Sequence, residues 1–164
     1  MSRILVGVMG PGASASADEV RAAYALGQLI ARASWVLVTG GRATGVMDAA
    51  CRGAQAEGGL TVGILPTDDA RDVSAAVEIP IITGMGQARN NINVLSSVVV
   101  FACGMGAGTA AEIALAIKAG KQVILLNVNE AGQTFFIKLG KGQVHVVNTP
   151  EEAVALAKRL ITGA

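Results

Sequence analysis

Val98-Val99-Val100-Phe101-Ala102-Cys103-Gly104-Met105-Gly106-Ala107-Gly108-Thr109-Ala110-Ala111-Glu112 passes from an apolar run through a glycine loop into an alanine-rich helical pattern. A strand, a glycine loop and a helix start, in that order, build an anion site. The first turn of a helix leaves backbone N–H groups unpaired, and the helix dipole favours negative charge there. Glycines let the backbone approach a phosphate with no Cβ in the way. The stretch points to a phosphate-bearing small molecule.

The same order recurs along the chain. Strand-like runs are Ile4–Val8, Trp35–Val38, Val62–Leu65, Ile79–Ile82, Val98–Phe101, Val123–Leu126 and Val144–Val147. Most are continuously apolar, so both of their faces need covering, as in a parallel sheet between helices. Pro80 marks its run as a short or edge strand. Helical patterns lie between the runs. Asp18–Arg32 carries Val20, Ala23, Tyr24, Gly27 and Ile30 on one stripe, and Ser16-x-x-Glu19 is a capping box for its start. Val46–Glu57 is closed by Gly58-Gly59. Gln87–Leu95 is expected to turn Ile92 and Leu95 inward. Thr109–Ala119 ends at Gly120, Phe135–Leu139 reads as a short helix, and Thr149-Pro150-Glu151-Glu152 starts the last one. The expectation for residues 1–164 is one α/β domain: a doubly wound, mostly parallel, Rossmann-like sheet of about seven strands. Ligands are expected at the carboxyl ends of its strands. Thr67–Ser74 is polar, and reads as a solvated connection or a mobile flap.

Composition narrows the function. The 164 residues are 52% hydrophobic but only 3% aromatic, so the core is aliphatic. A chain of this size buries roughly 70% of its unfolded surface. The formal net charge is +1 and no basic run exists, which sets aside nucleic acid and membrane surfaces as partners. Cys51 and Cys103 are far apart and suit a reducing compartment. The apolar start, Met1-Ser2-Arg3-Ile4-Leu5-Val6-Gly7-Val8, is too short for a signal segment and reads as a strand. Cytoplasmic placement is expected.

Three glycine junctions follow strands: Met9-Gly10-Pro11-Gly12-Ala13-Ser14, Thr39-Gly40-Gly41-Arg42-Ala43-Thr44-Gly45-Val46-Met47, and Gly104–Thr109. In a parallel sheet all three open on one edge. An NAD fingerprint is absent: Gly7-x-x-Gly10-x-Gly12 has the wrong spacing, and Thr39 stands where a ribose-binding acid belongs. No Walker A lysine follows a glycine loop. Arg89 is a fork for phosphate or carboxylate, or else a surface arginine, and Asn90, Asn91 and Asn93 follow it. Glu112 has two readings. One is a capping box with Thr109; the other is a carboxylate facing the ligand. His145 reads as a packed or edge residue. Cys103 reads as a small buried residue, or as a thiol at the cleft mouth. No metal-ligand spacing or Ser/His/Asp set is present.

Thr39-Gly40-Gly41-x-x-x-Gly45-Val46-Met47, then Arg89, then Gly106-x-Gly108-Thr109-x-x-Glu112 resemble the superfamily once called "possible lysine decarboxylase" (SLOG). It includes the Lonely Guy phosphoribohydrolases and the molybdenum cofactor carrier proteins. The resemblance runs from the first strand to the Lys118–Asn127 region. In the hydrolases the matching Arg89 and Glu112 would be catalytic. Here, however, Gly104 and Met105 replace a Pro-Gly, Asn90 replaces a Lys after the arginine, and Ala111 replaces an acid. Ala88-Arg89-Asn90 and Glu112-Ile113-Ala114-Leu115-Ala116 are closer to the carrier branch. The resemblance therefore implies binding of the molybdenum cofactor, or a similar phosphorylated heterocycle, without turnover. Its alternative is release of a free base and ribose 5-phosphate from a nucleoside 5′-monophosphate. It also implies a homo-oligomer, dimer or tetramer, with no catalytic metal or NAD. The binding residues it suggests are Gly10, Pro11, Gly40, Gly41, Arg42, Thr44, Gly45, Met47, Arg89, Asn90, Gly104, Met105, Gly106, Ala107, Gly108, Thr109 and Glu112.

Overall fold

Seven strands and six α-helices follow one another along residues 3–163, the part that the computed structural model describes, with a helix between successive strands everywhere except between the third and fourth. Met1 and Ser2, the start of the N-terminal segment read above, lie outside the described residues. The elements are β1 (Leu5–Met9), α1 (Ala17–Arg32), β2 (Val36–Thr39), α2 (Gly45–Ala56), β3 (Thr61–Leu65) and β4 (Ile79–Ile82). A 3-10 turn (Gly86–Arg89) then leads into α3 (Asn90–Ser96), β5 (Val99–Cys103), α4 (Ala107–Lys118), β6 (Gln122–Leu126), α5 (Glu130–Gly140), β7 (Val144–Val146) and α6 (Pro150–Thr162).

The strands form one sheet in the order β4-β3-β2-β1-β5-β6-β7, and every neighbouring pair is parallel. The chain builds outward from β1 to β4, then crosses back to add β5 on the other side of β1. The carboxyl ends of β1 and β5 therefore flank the point where the winding reverses. A crevice belongs there.

Side-chain alternation gives two cores. Val6, Val8, Phe101, Cys103, Ile124 and Leu126 face a layer that holds Leu26 and Ile30 of α1, Val46 of α2 and Ala153 of α6. Met9, Val100, Ala102, Val123 and Leu125 face the other way, onto Val94 of α3, Ile113 and Ala116 of α4, and Phe136 of α5. Each fully buried Leu, Ile or Phe contributes about 1.5–3 kcal/mol.

The helix signals operate as their chemistry predicts. Ser16 Oγ accepts from Glu19 N–H at 3.1 Å, and Ser16 N–H donates to Glu19 Oε2 at 2.8 Å. Thr149 caps α6 through Glu152 N–H, with Pro150 in the first turn. Gly120 takes a positive φ just past α4. β4 is an edge strand and all four of its residues are exposed, consistent with Pro80.

Four details differ from the sequence reading. The Gln87–Leu95 pattern divides into the 3-10 turn and α3, and its inward residues are Asn93 and Val94, while Leu95 is 54% exposed. The stripe on α1 is Ala23, Leu26, Gly27 and Ile30; Val20 and Tyr24 are exposed. The short helix at Phe135 extends over Glu130–Gly140, because Asn129 caps it by accepting from Gly132 N–H. Thr67–Ser74 is no free flap at its distal end: Asp72 O accepts from Ala43 N–H, and Ser74 N–H donates to Gly41 O. Among the described residues no helix is long and apolar enough to cross a membrane.

α1 and α2 pack closely enough to exclude side chains at their crossing. A Cβ on Gly53 would run into the carbonyl of Tyr24, and one on Gly27 into the carbonyl of Ala50. Gly53→Ala is expected to destabilise the fold by about 1–3 kcal/mol, the cost typical of overpacking. A thermal melt of Gly53→Ala that overlays the parent's would refute this close approach.

Candidate functional site

Three loops meet over the carboxyl ends of β1, β2 and β5, and the 3-10 turn closes the fourth side. They enclose a cleft of about 220 Å³, lined by Gly10, Pro11, Gly12 and Ser14 after β1, and by Gly40, Arg42 and Met47 after β2. Gln87, Arg89 and Asn90 come from the 3-10 turn and the start of α3, and Gly106, Ala107, Gly108, Thr109 and Glu112 from α4. The volume is below the ~300–1,000 Å³ of typical small-molecule pockets. It admits a phosphate and a compact neighbouring group, and leaves a larger ligand to extend past the mouth.

α4 begins at Ala107, with Gly106 as its cap residue and no side-chain cap. Its first N–H groups therefore remain available to an anion at the cleft. This overturns the capping-box reading of Thr109 and Glu112. Thr109 lies inside the first turn, and Glu112 is buried at 6% exposure. Thr109 Oγ1 is buried without a hydrogen-bond partner.

Arg89 is 7% exposed, so its reading as a surface arginine fails. Its Nη1 donates to Asn90 Oδ1 at 2.8 Å and lies 3.9 Å from Glu112 Oε1, while Nε has no partner. Its guanidinium rests on Gly40, where a Cβ would stand 2.8 Å from both Nη1 and Nη2. Glu112 Oε1 also accepts from Asn93 Nδ2 at 3.3 Å.

Burial governs the electrostatics of this group. It pushes the Glu112 carboxyl up to about 7, against the opposing pull of the Asn93 hydrogen bond and the Arg89 charge. Burial also lowers Arg89, with Arg42 adding to the effect and Glu112 opposing it. Arg89 keeps its proton, because a guanidinium starts so far above neutrality. At 3.9 Å the two groups are too far apart for a hydrogen-bonded ion pair. The site therefore holds a cation that its own carboxylate only partly compensates.

Not every residue singled out by sequence lines the cleft. Gly41 packs on Gly63, and Gly45 on the carbonyls of Pro11 and Gly12. Thr44 shares a separate shallow hollow with Arg71 and Asp72. Gly104 packs on the Glu19 side chain, and Met105 leans on the second core. These positions shape the loops from behind. The lining residues Gly12, Ser14 and Gln87 lie in segments already marked by their glycines, but they carry no charge that singles them out. Asn93 is the more informative omission, since only the buried face of α3 shows that it supports Glu112. Cys103 is buried with its Sγ toward the Glu19 carbonyl, and burial pushes the thiol up to about 12, so it is no cleft nucleophile. His145 Nε2 pairs with Gln122 Oε1 at 2.7 Å on β7, and it does not line the cleft.

The raised carboxyl has a consequence for stability. Folded, Glu112 holds its proton to about 7; unfolded, only to the ordinary value of 4.5. Between those values the folded chain binds more protons, so stability falls as pH rises through this window and levels off above it. Relative to Glu112→Gln, the parent should lose about 3 kcal/mol across the window. Paired urea melts of the two proteins test this, and parallel stability curves would refute it.

The chain has close relatives. The SLOG cluster4 family model matches residues 3–154. A molybdenum cofactor binding protein from Rippkaea orientalis is 52% identical, with a TM-score of 0.97 over 98% of this chain and 99% of that one. The molybdenum cofactor carrier protein of Chlamydomonas reinhardtii is 48% identical, with a TM-score of 0.94 over 98% and 99% of the two chains. An uncharacterised protein of Archaeoglobus fulgidus is 40% identical over 94% of each chain. Sequence match and shared architecture agree over nearly the whole length, and the chain belongs to the SLOG cluster4 family.

Proposed function

We propose that this protein binds and carries the molybdenum cofactor, without turnover, and holds the cofactor's phosphate against the N-terminus of α4. The observation that carries the reading is a set of unanswered donors. Thr109 Oγ1 and Arg89 Nε are buried without partners beside the free N–H groups of α4. A phosphate supplies the acceptors that these groups lack and the charge that the guanidinium needs. Orphaned polar groups of this kind fit an oxyanion and would be costly beside an apolar ligand. Relatives at about half identity that bind or carry this cofactor support the choice of ligand.

The roles divide along the cleft. Gly106, Ala107, Gly108 and Thr109 form the phosphate cradle. Arg89, with Asn90 fixing its Nη1, closes over the anion, and Gly40 leaves room for it. Gly10, Pro11, Arg42 and Met47 line the mouth toward the heterocycle. Gly41, Thr44, Gly45, Gly104 and Met105 set the loop shapes. We assign the carrier to the cytoplasm, where the free thiols of Cys51 and Cys103 persist. We also assign it a homo-oligomeric state, dimer or tetramer, with the exposed Ile79, Ile81 and Ile82 of β4 and Phe135 of α5 as apolar surface to cover.

Anaerobic calorimetry with the purified protein and the cofactor should give saturable binding at about one ligand per chain. Absence of heat at any concentration would overturn the reading. Arg89→Ala should weaken binding about 10- to 100-fold, the value of a charge-assisted hydrogen bond. Gly40→Ala should fold and yet weaken binding, because its methyl displaces only the mobile ends of Arg89 and Met47. Full affinity in both variants would remove Arg89 from the site.

A further inference from the structure

The buried group around Glu112 contains a mismatch that the carrier reading leaves unused. Asn93 is wholly buried. Its Nδ2 donates to Glu112 Oε1 at 3.3 Å, while its Oδ1 has no donor. Glu112 in turn lies 3.9 Å from the arginine that faces the anion. Among the described residues that line the cleft, the charged or titratable ones are Arg42 from the β2–α2 loop, Arg89 from the 3-10 turn and Glu112 from α4. The β1–α1 loop and α2 contribute no charged side chain to it, and α3 contributes Asn90.

We propose that Glu112, Asn93 and Arg89 form a proton-linked release device, in which anion binding is coupled to uptake of one proton by Glu112. This rests on the reading that the cleft holds a phosphate. Asn93 can present either end of its amide to Glu112, Nδ2 as a donor or Oδ1 as an acceptor. With Glu112 ionised, the carboxylate accepts from Asn93 Nδ2 and competes with the ligand for the Arg89 charge. With Glu112 protonated, half a turn of the Asn93 amide brings Oδ1 to the carboxyl. The Glu112 hydroxyl then donates to it, the orphaned acceptor is satisfied, and the full charge of Arg89 acts on the anion. The proton comes from bulk water and returns to it on release. Burial already holds the Glu112 carboxyl near 7, so the exchange falls within the range of cytoplasmic pH. The ligand is favoured on the acidic side and released on the basic side.

Sulfate is the probe, because it remains a dianion throughout neutral pH and any titration then belongs to the protein. The carboxyl carbon of Glu112 is followed by NMR in protein labelled at glutamate, with Glu112→Gln identifying its resonance. Chloride matches the ionic strength of each sample. The expected midpoint without sulfate is about 7, moving up by about one unit with saturating sulfate. Sulfate affinity in the parent should fall by about tenfold in all between about pH 6 and 9 and level off at both ends, the total that a one-unit shift of one linked proton requires. Glu112→Gln should show no such slope. A midpoint in the ordinary carboxylate range, or one that sulfate leaves in place, overturns the proposal. Sulfate binding with equal pH dependence in parent and variant overturns the linkage alone. No sulfate binding at any pH overturns the phosphate cradle and the linkage together.

Discussion

A parallel strand ends at the opposite edge of the sheet from where its neighbour begins, so every pair needs a crossover. The rest of this molecule follows from that constraint. All seven carboxyl ends share one edge, and all the loops that leave them share one surface. Helices serving as crossovers cover both faces, which is why the strands are apolar on both sides. Small residues at the α1–α2 crossing let those helices lie close. Because the winding reverses between β1 and β5, the loops after these two strands lead away from each other. The cleft is the gap they leave, and the loop after β2 and the 3-10 turn wall in the rest.

Into that gap the fold places a buried arginine and a buried carboxyl. Taking both out of water is costly, and their separation is too long for the attraction to offset it fully. Asn90 and Asn93 each satisfy one partner, and the remaining donors are left open. Such an arrangement contributes little to stability. It makes sense as a site organised for a charge that arrives from outside, with its own carboxyl poised near neutrality. The second core, from Val94 to Phe136, keeps α3 and α4 in register so that the residues meet.

Much of the fold was legible because it rests on local chemistry. Continuous apolar runs announce buried parallel strands. Ser16 with Glu19, and Thr149 with Pro150, announce helix starts by supplying what the backbone lacks. Pro80 announces an edge. The cleft was legible at its glycine loops, for Gly10, Gly12, Gly40, Gly106 and Gly108 line it where the strands end. The readings that failed required knowledge of what lay opposite. Leu95 fits an inward helical spacing, yet Asn93 and Val94 point in, since α3 enters from a 3-10 turn that rotates its phase. Thr109 and Glu112 have capping-box spacing, yet α4 starts at Ala107 and turns Glu112 toward Arg89.

By itself the sequence determined the succession of strands and helices, the number of strands and the glycine loops at strand ends. These depend on neighbours within a few residues, where periodicity, capping and steric freedom operate. Only the tertiary structure decided which loops share the cleft. It also decided that Arg89 lies on Gly40 rather than in solvent, and that Glu112 is desolvated beside Asn93. Those contacts join residues from separate elements. Their energies depend on burial and on distance across the fold, and neither quantity is written in local order.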